Sequence, residues 1–263
     1  MALTKVVVTG VGAVSPFGIG VSRLMDALYA HRSAAVNCRQ QWEKDVRDLT
    51  SWVGAPLAEP LDTGRIPRKV RRSMGRVAVL SYLACLEALE QAAITNEQYG
   101  LGRCGVSIAS TLGSISSTRQ FFAAIFEKAE IGSLPASIFL QFMSHTCAAN
   151  VAHALGITGR VLSPNAACAS GLVAIGYGME AIASGKQDIM ICGGADELDL
   201  AAVASFDLVH AASHHYNEEP QRTPRPFDRD RDGILCGEGA GMVVLESEQS
   251  ARRRGTRILA ELA

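Results

Sequence analysis

The stretch from Gly159 to Gly185, in the second half of the chain, constrains the fold more than any other. It opens with an apolar run, Gly159–Pro164, that predicts the end of a buried strand. It closes with a helix in which Leu172, Ile175, Met179 and Ile182 recur at spacings of three and four. Small residues and one thiol lie between the two. A strand that turns this sharply into a helix brings the turn close to the helix N-terminus, where unpaired N–H groups and the helix dipole favour an anion.

Cys168 is the candidate nucleophile in this turn. The electropositive start of a helix favours the thiolate, which is the reactive form of a cysteine. The small neighbours, Ala166 to Gly171, permit a tight turn and leave room for a substrate. The alternative is a buried structural cysteine, the usual role of an intracellular thiol, and the turn alone leaves both interpretations open.

Composition limits the classes of function. The chain has 263 residues, 48% hydrophobic and 19% charged, with a net charge of −1. This is typical of a globular protein with a sizeable core, and the near-zero charge gives no argument for nucleic-acid binding. Its seven cysteines are scattered without CxxC or Cys/His spacing, so we expect reduced thiols in a cytoplasmic protein and no metal site. No targeting segment precedes the first strand and no apolar run reaches about 18 residues, so we expect no membrane span.

Strand and helix patterns alternate along the chain. Short β-branched and apolar runs predict strands at Val6–Gly10, Cys104–Ser110, Asp188–Gly193, Gly241–Glu246 and Arg257–Glu261. Helical periodicity predicts helices from Ser22, as N-cap, to about His31, and over about Val70–Ala93, Ser117–Lys128 and Pro135–Leu155. The alternation indicates an α/β protein whose largely parallel or mixed sheet is covered on both faces. Without repeats or a low-complexity linker, we expect one domain, residues 1–263.

Three other features are ambiguous on their own. Gly10-Val-Gly12 resembles the start of a dinucleotide fingerprint, but Ser15 stands where that fingerprint needs glycine, so we expect no nucleotide cofactor. The basic run Arg65–Arg72 fits a solvated face, or a docking patch for an acidic partner. His145 and His153 lie on a mostly apolar helix, and we interpret them as core residues rather than catalysts.

A family resemblance is carried by five separate segments: Val6–Pro16, Ala166–Gly171, Asp188–Glu197, Arg225–Gly233 and Gly237–Gly241. Together and in this order they resemble the β-ketoacyl-acyl carrier protein synthases, the type I/II condensing enzymes of the thiolase superfamily. The last two segments separate this branch from thiolases and type III synthases. The resemblance implies a cytoplasmic protein with a thiolase-like layered αβαβα fold. That fold is built from two similar halves, and this chain supplies mainly the first half plus the first strand of the second.

The resemblance also implies roles for four residues. Cys168 matches the nucleophile that accepts an acyl chain from the phosphopantetheine arm of the acyl carrier protein, with its N–H in the oxyanion hole. Leu112 matches the position that limits acyl-chain length. Lys69 and Arg72 match basic residues that dock the acidic carrier protein, which favours the docking interpretation of the basic run. The family needs no cofactor of its own, because phosphopantetheine arrives on the carrier protein, and it implies a homodimer or a heterodimer with a ketosynthase-like chain.

The implied reaction is that of a 3-oxoacyl-[acyl-carrier-protein] synthase: acyl transfer to the cysteine, then decarboxylative Claisen condensation with malonyl-carrier protein in fatty acid or polyene/polyketide synthesis. Two alternatives stay open. One is a non-catalytic partner like the chain-length factors, which usually have glutamine in place of the cysteine. The other is a thiolase or acyl hydrolase, which the Gly237–Gly241 segment disfavours.

The family's two catalytic histidines, active-site lysine and gating phenylalanine lie in its second half. None of the histidines of this chain stands in a matching motif, the adjacent pair His214 and His215 included. We therefore expect a fragment, one part of a split enzyme or a truncated synthase. We expect the 263 residues alone to acylate weakly at Cys168 and not to condense.

Overall fold

A mixed β-sheet forms the centre of the computed structural model, which describes residues 4–99 and 102–263. In chain order, the strands of these residues are β1 (Val6–Ser15), β2 (Gly18–Ile19), β3 (Val36–Asn37), β4 (Val53–Gly54), β5 (Cys104–Ala109), β6 (Val161–Leu162), β7 (Ile189–Asp196), β8 (Gly239–Ser247) and β9 (Ala260–Leu262). The main sheet has the order β2-β1-β8-β7-β5-β6, with β9 also pairing with β1, while β3 and β4 form a separate antiparallel pair.

Strand direction brings several chain segments to one edge of the sheet. β6, β5 and β7 are parallel neighbours, so their carboxyl ends lie at the same edge. β8 runs antiparallel to β7, and its first residue, Gly239, pairs with Asp196 at the end of β7. The turn after β6, the loop after β5, the end of β7 and the start of β8 therefore meet at this edge, as expected of a ligand site in an α/β sheet.

Helices cover both faces of the sheet. In chain order they are α1 (Val21–Tyr29), α2 (Arg39–Trp42), α3 (Arg68–Arg71), α4 (Arg76–Gln91), α5 (Asn96–Tyr99), α6 (Ile115–Phe126), α7 (Phe139–Phe142), α8 (Thr146–Leu155), α9 (Ser170–Ala183), α10 (Leu200–Leu208) and α11 (Glu248–Arg254), with short 3-10 turns at Ala136–Ile138 and Pro220–Arg222. α4 and α8 bury their apolar sides against one face. α9 packs Ala181 and Ile182 against the other face, on Met190 of β7 and Leu245 of β8. No helix of the described residues is long and apolar enough to cross a membrane.

Gly10 and Gly12 lie inside β1 rather than at its end. A Cβ on Gly10 would lie 2.0 Å from the carbonyl oxygen of Ala88, and one on Gly12 would lie 2.0 Å from that of Ala84. Because both carbonyls belong to α4, the glycines let this helix approach the strand closely. The prediction that the strand stops at Gly10 is therefore wrong, and the paired glycines have a packing explanation.

Several element boundaries also differ from the sequence-based predictions. The expected helix over Val70–Ala93 is two helices, α3 and α4, because the α4 start is held by Ser114 Oγ, which accepts the Val77 N–H at 3.0 Å. The expected helix over Pro135–Leu155 is interrupted between α7 and α8, where Asn150 Nδ2 donates to the Leu140 carbonyl at 2.9 Å. At the first boundary the contact comes from another part of the chain, and at the second it joins α8 to the neighbouring α7.

Smaller corrections concern α1, β6 and α9. α1 begins at Val21 after Gly20, without a side-chain cap, so Ser22 is not its N-cap. The strand before the cysteine turn is the two-residue edge strand β6, and Val161 is exposed, so the prediction of a buried strand is wrong. Leu172 is 73% exposed although it shares the periodicity of Ile182, which is fully buried. Leu172 therefore lies on the outer side of α9, whereas Ser170 and Ala174 in the same part of the helix are buried.

Candidate active site

Cys168 lies in the connection between β6 and α9, two residues before the first residue of the helix. It is exposed, whereas the other six cysteines are buried or partly buried. The connection places the thiol at the sheet edge where the ends of β5 and β7 converge. This is the strand-turn-helix arrangement that the sequence predicts.

The cysteine turn is held by side chains on both of its sides. Ala167, the residue before the cysteine, has a φ of 49°, a left-handed conformation that is strained for a residue with a Cβ. Asn165 Oδ1 accepts the Ala167 N–H at 3.1 Å, and Ser170 Oγ accepts the Ala166 N–H at 2.8 Å. The Ser170 hydroxyl in turn donates to the Ala167 carbonyl at 2.6 Å. The turn is therefore fixed before any ligand binds.

A cavity of about 310 Å³ adjoins the cysteine. Its lining residues are small or polar and come from β5, the cysteine turn, β7 and β8: Ala109, Ser110, Ala167, Cys168, Ser170, Gly171, Gly194, Ala195, Asp196, Gly237, Gly239, Ala240 and Gly241. The glycines and alanines give a substrate close access to the main chain around the thiol. The Gly237–Gly241 segment thus contributes to the same site as Cys168, although the two are far apart in sequence.

The loop after β5 is attached to the cysteine turn. Asp196 Oδ1 accepts the Ser110 hydroxyl at 2.8 Å and the Thr111 N–H at 2.9 Å. The Thr111 hydroxyl lies 3.2 Å from the Ala167 carbonyl oxygen. Leu112 follows directly and is 49% exposed. Thr111, the residue before Leu112, therefore links this loop to the cysteine turn, but Leu112 does not line the cavity, and its role in limiting chain length stays a prediction.

Lys69 and Arg72 lie elsewhere, on α3 and directly after it, and neither lines the cavity. Both are exposed, so they are accessible to a partner. The main-chain carbonyl of Arg72 accepts a hydrogen bond from Gln141 Nε2 at 2.8 Å, which fixes the end of the basic run. The docking role stays a prediction, because accessibility does not distinguish a docking patch from a solvated face.

An ion pair between the exposed Arg76 and the buried Glu238 fixes the segment that leads into β8. Arg76, at the start of α4, donates to both oxygens of Glu238, from Nε at 2.7 Å and from Nη2 at 2.6 Å. Burial alone would raise the pKa of Glu238, but the hydrogen bonds from Arg76 and from the Leu57 N–H outweigh it, and the pKa is lowered. The carboxylate is therefore charged at neutral pH and ties α4 to one wall of the cavity.

The six other cysteines have elevated pKa values. Burial raises the pKa of Cys38 and Cys236 to about 11 and that of Cys104 and Cys147 to about 12. The pKa values of Cys85 and Cys192, both fully enclosed, are raised further by the same cause. These thiols stay protonated at neutral pH and are poor nucleophiles.

Histidines do not contribute to the cavity within the described part of the chain. His145 and His153 are exposed, so the interpretation of these residues as core histidines is wrong. His214 and His215 donate their main-chain N–H groups to Asp232 Oδ2, at 2.8 and 2.7 Å, and form part of a loop. Across residues 4–99 and 102–263, no group of three or more His, Cys, Asp or Glu side chains could hold a metal ion.

Comparison with known proteins decides the family. Residues 3–251 match the model of the β-ketoacyl synthase N-terminal domain. The chain belongs to the β-ketoacyl synthase family. It is 31% identical over 260 residues to 3-oxoacyl-[acyl-carrier-protein] synthase 1 of Haemophilus influenzae, covering 99% of this chain and 63% of that protein.

Solved ketosynthase structures support the same conclusion. A β-ketoacyl synthase from Burkholderia phymatum superimposes with a TM-score of 0.92 at 40% identity, over 98% of this chain and 62% of the other. The ishigamide ketosynthase/chain length factor gives a TM-score of 0.85 at 29% identity, over 99% and 62%. The predicted thiolase-like α/β fold is confirmed. The chain spans about three fifths of the length of these relatives.

Two polar residues of the site have no role in the sequence-based prediction. Asp196 and Thr111 follow the buried parts of β7 and β5, and their side chains meet only because these strands are parallel neighbours. The signal was present: polar residues at the carboxyl ends of two predicted strands are candidates for one site.

Proposed function

We propose that this chain carries the acyl-accepting part of a 3-oxoacyl-[acyl-carrier-protein] synthase. The observation that carries the proposal is the exposed Cys168 between β6 and α9, lining a cavity of about 310 Å³ in a protein of this family. The thiolate attacks the thioester carbonyl of an acyl group on phosphopantetheine. The tetrahedral intermediate then expels the phosphopantetheine thiolate, which takes up a proton and leaves the acyl group on Cys168 as a new thioester.

Main-chain N–H groups near the start of α9 are the proposed donors for the oxyanion of this step. The Cys168 N–H belongs to the peptide group that also contains the Ala167 carbonyl, and that carbonyl is already held by Ser170. A donor fixed before the reaction stabilises developing charge without reorganisation. The same donors serve again when the acyl group leaves the cysteine.

Condensation needs a further set of groups. Decarboxylation of malonyl-carrier protein leaves an enolate that must be stabilised by hydrogen-bond donors, and in the described residues no histidine lines the cavity. We propose that these donors lie outside the described residues. The enolate carbon then attacks the thioester on Cys168 and forms the 3-oxoacyl product on the carrier protein.

Acyl carrier protein is the proposed delivery partner. The curated relative from Haemophilus influenzae is named for acyl-carrier-protein substrates. The exposed basic run, with Lys69 and Arg72, offers the opposite charge to an acidic carrier protein. The chain itself then needs no cofactor, since the phosphopantetheine arm arrives with the partner.

A second ketosynthase-like chain is the other proposed partner. The ishigamide structure contains a ketosynthase and a chain length factor. In the described residues β6 pairs with one strand only, β5, and Val161 on it is 47% exposed, so the outer edge of β6 is open to pairing. We propose a homodimer or heterodimer in the cytoplasm, consistent with the free state of the cysteines. The chain-length-factor alternative predicts no acylation, and the accessible Cys168 favours the enzyme.

Product analysis separates these functions. The purified protein, with any chain that co-purifies, is incubated with acyl-carrier protein and malonyl-carrier protein, and products are identified by mass spectrometry. An acyl-enzyme followed by 3-oxoacyl-carrier protein supports the synthase. No acyl-enzyme supports the chain-length-factor alternative, and released free acid or acyl transfer to coenzyme A supports a hydrolase or thiolase. The variant Cys168→Ala is the matched control.

A further inference from the structure

We propose that Asp196 is a positioning residue that couples the loop carrying Leu112 to the peptide group preceding Cys168. The inference rests on the proposed function, because it assigns this coupling to the choice of acyl chain. Asp196 lies at the end of β7 and lines the cavity, and both of its carboxylate oxygens contact the loop after β5. Its effect is exerted through two neighbouring residues.

Both carboxylate oxygens of Asp196 bind the loop after β5. Oδ1 accepts the Ser110 hydroxyl and the Thr111 N–H, and Oδ2 lies 3.1 Å from the Thr111 hydroxyl. Ser110 Oγ also accepts the Gly113 N–H at 2.9 Å. One carboxylate therefore fixes a loop of four residues, and the conformation of Leu112 inside it follows from these bonds.

The Thr111 hydroxyl connects this loop to the nucleophile. It lies between Asp196 Oδ2 and the Ala167 carbonyl oxygen, at 3.1 and 3.2 Å. A hydroxyl has one proton, so with two acceptors it donates to one of them at a time. Because a peptide group is planar and trans, the direction of the Ala167 carbonyl sets the direction of the Cys168 N–H. A movement of Thr111 thus alters the donor proposed for the oxyanion.

A second contact ties the turn back to the loop. Asn165 Nδ2 donates to the carbonyl oxygens of Ser110 and Thr111, at 3.1 and 3.2 Å. The loop and the turn are therefore joined in both directions, by Thr111 from the loop and by Asn165 from the turn. An acyl chain that displaces Leu112 then alters the Thr111 contact to the Ala167 carbonyl, which Ser170 continues to hold, and long and short chains acylate Cys168 at different rates.

The substitutions Asp196→Ala and Asp196→Asn test the coupling. Alanine removes the three contacts, and we expect acylation of Cys168 to slow about 10- to 100-fold with a changed preference between long and short acyl chains. Asparagine keeps an oxygen for Ser110 and the Thr111 N–H, and its amide donates to the Thr111 hydroxyl, whose proton is then free for Ala167. We therefore expect asparagine to restore the wild-type rate and preference.

Thr111→Val and Thr111→Ser form the matched pair at the other end of the contact. Valine keeps the shape of the threonine side chain and removes its hydroxyl. We therefore expect the same slower acylation and changed chain preference as in Asp196→Ala, with no further loss when both substitutions are combined. Serine keeps the hydroxyl and is expected to behave as wild type. Asp188→Asn is the control, because the Asp188 carboxylate pairs with Arg103 away from the cavity. We expect this variant to keep the wild-type acylation rate and the wild-type preference between acyl chains.

A readout independent of acyl transfer separates this inference from the proposed function. Cys168 is alkylated with iodoacetamide and with a long-chain N-alkyl iodoacetamide, and the ratio of the two rates is measured. We expect Asp196→Ala and Thr111→Val to change this ratio about threefold or more, while iodoacetamide alone reacts as in wild type. If wild type is not acylated, the proposed function fails and the alkylation ratio still decides the coupling. An unchanged ratio and unchanged acyl preference in folded Thr111→Val would overturn the inference.

Discussion

The hydroxyl of Thr111 lies 3.2 Å from the carbonyl oxygen of Ala167. This contact joins the loop after β5 to the turn after β6, two segments that follow parallel neighbouring strands. The peptide group that it touches is the one that precedes Cys168. The position of the thiol and the shape of the cavity beside it are thus set by the same group of hydrogen bonds.

Cys168 is predicted to react first with thiol reagents. It is exposed, and burial raises the pKa of each of the other six cysteines, so they react slowly. With limiting iodoacetamide near neutral pH we expect modification of Cys168 at least about tenfold faster than of any other thiol, measured by peptide mass spectrometry. In Cys168→Ser the fast phase should disappear. Fast labelling of Cys38 or Cys236 in the folded protein would contradict this assignment.

Substitution of Leu112 is predicted to change acyl-chain preference. Its side chain is half-exposed on the loop whose Thr111 contacts the cysteine turn, so we expect a larger residue there to restrict the path of a long acyl chain to the thiol. For Leu112→Phe we expect long-chain acylation of Cys168 to fall about tenfold relative to short-chain acylation, while Leu112→Ala shifts the ratio the other way. Leu208→Phe, at an exposed position on α10, is the control. Equal losses for all chain lengths would show a general defect instead of a length filter.

Charge reversal at Lys69 and Arg72 is predicted to weaken the use of the carrier protein. Both residues are exposed on the basic run, and attraction to an acidic partner acts mainly on the encounter. For Lys69→Glu and Arg72→Glu we expect the KM for acyl-carrier protein to rise about tenfold, with a weaker dependence on salt and unchanged reactivity of Cys168 toward iodoacetamide. Arg253→Glu on α11 reverses an exposed charge elsewhere. If all three variants behave alike, the patch has no specific docking role.

Loss of the ion pair between Arg76 and Glu238 is predicted to destabilise the fold in a pH-dependent way. Arg76→Met removes the charged partner of the buried Glu238 carboxylate, which keeps the Leu57 N–H, and because Arg76 is exposed we expect a loss of about 2 kcal/mol in the free energy of unfolding at neutral pH. Pairing lowers the pKa of Glu238 below 4.5, so its stabilisation is present above that pH and is lost as the pH falls through the lowered value.

Urea denaturation at neutral pH and near pH 3 measures this effect. The difference between wild type and Arg76→Met should shrink at the acid pH, where protonation of Glu238 removes the unpaired charge. Arg76→Lys keeps the positive charge, so we expect a smaller loss in the free energy of unfolding than for Arg76→Met. A difference that is the same at both pH values would exclude the ion pair as its cause.

Much of the fold follows from local patterns. The apolar runs of β5, β7 and β8 predict these strands because their residues are largely buried in the sheet, and the periodicity of α9 predicts a helix that packs Ala181 and Ile182 on it. The boundaries of α3, α4, α7 and α8 could not be predicted in the same way. They depend on Ser114, which accepts the N–H of a residue distant in sequence, and on Asn150, which binds a carbonyl of the neighbouring short helix.

In the candidate site, too, some residues could be predicted from the sequence and others could not. Cys168 could be found from its small neighbours and the helix that follows, and Leu112 from the family resemblance. Asp196 and Thr111 could be candidates from their places at the ends of two predicted strands, but their contact could not be assigned, because it requires the order and direction of β5 and β7 in the sheet. A sequence pattern can identify a residue whose position depends on one helix or strand. The hydrogen bonds around the thiol instead depend on how several strands pair in the sheet.

The most direct test of the account locates the acyl group. Wild-type protein is treated with a carrier protein loaded with an isotope-labelled acyl thioester, digested, and mapped by tandem mass spectrometry. The account predicts the label on the peptide that contains Cys168, at the sulfur, and its complete loss in Cys168→Ala. A label on any other residue, or one that persists in Cys168→Ala, would contradict it.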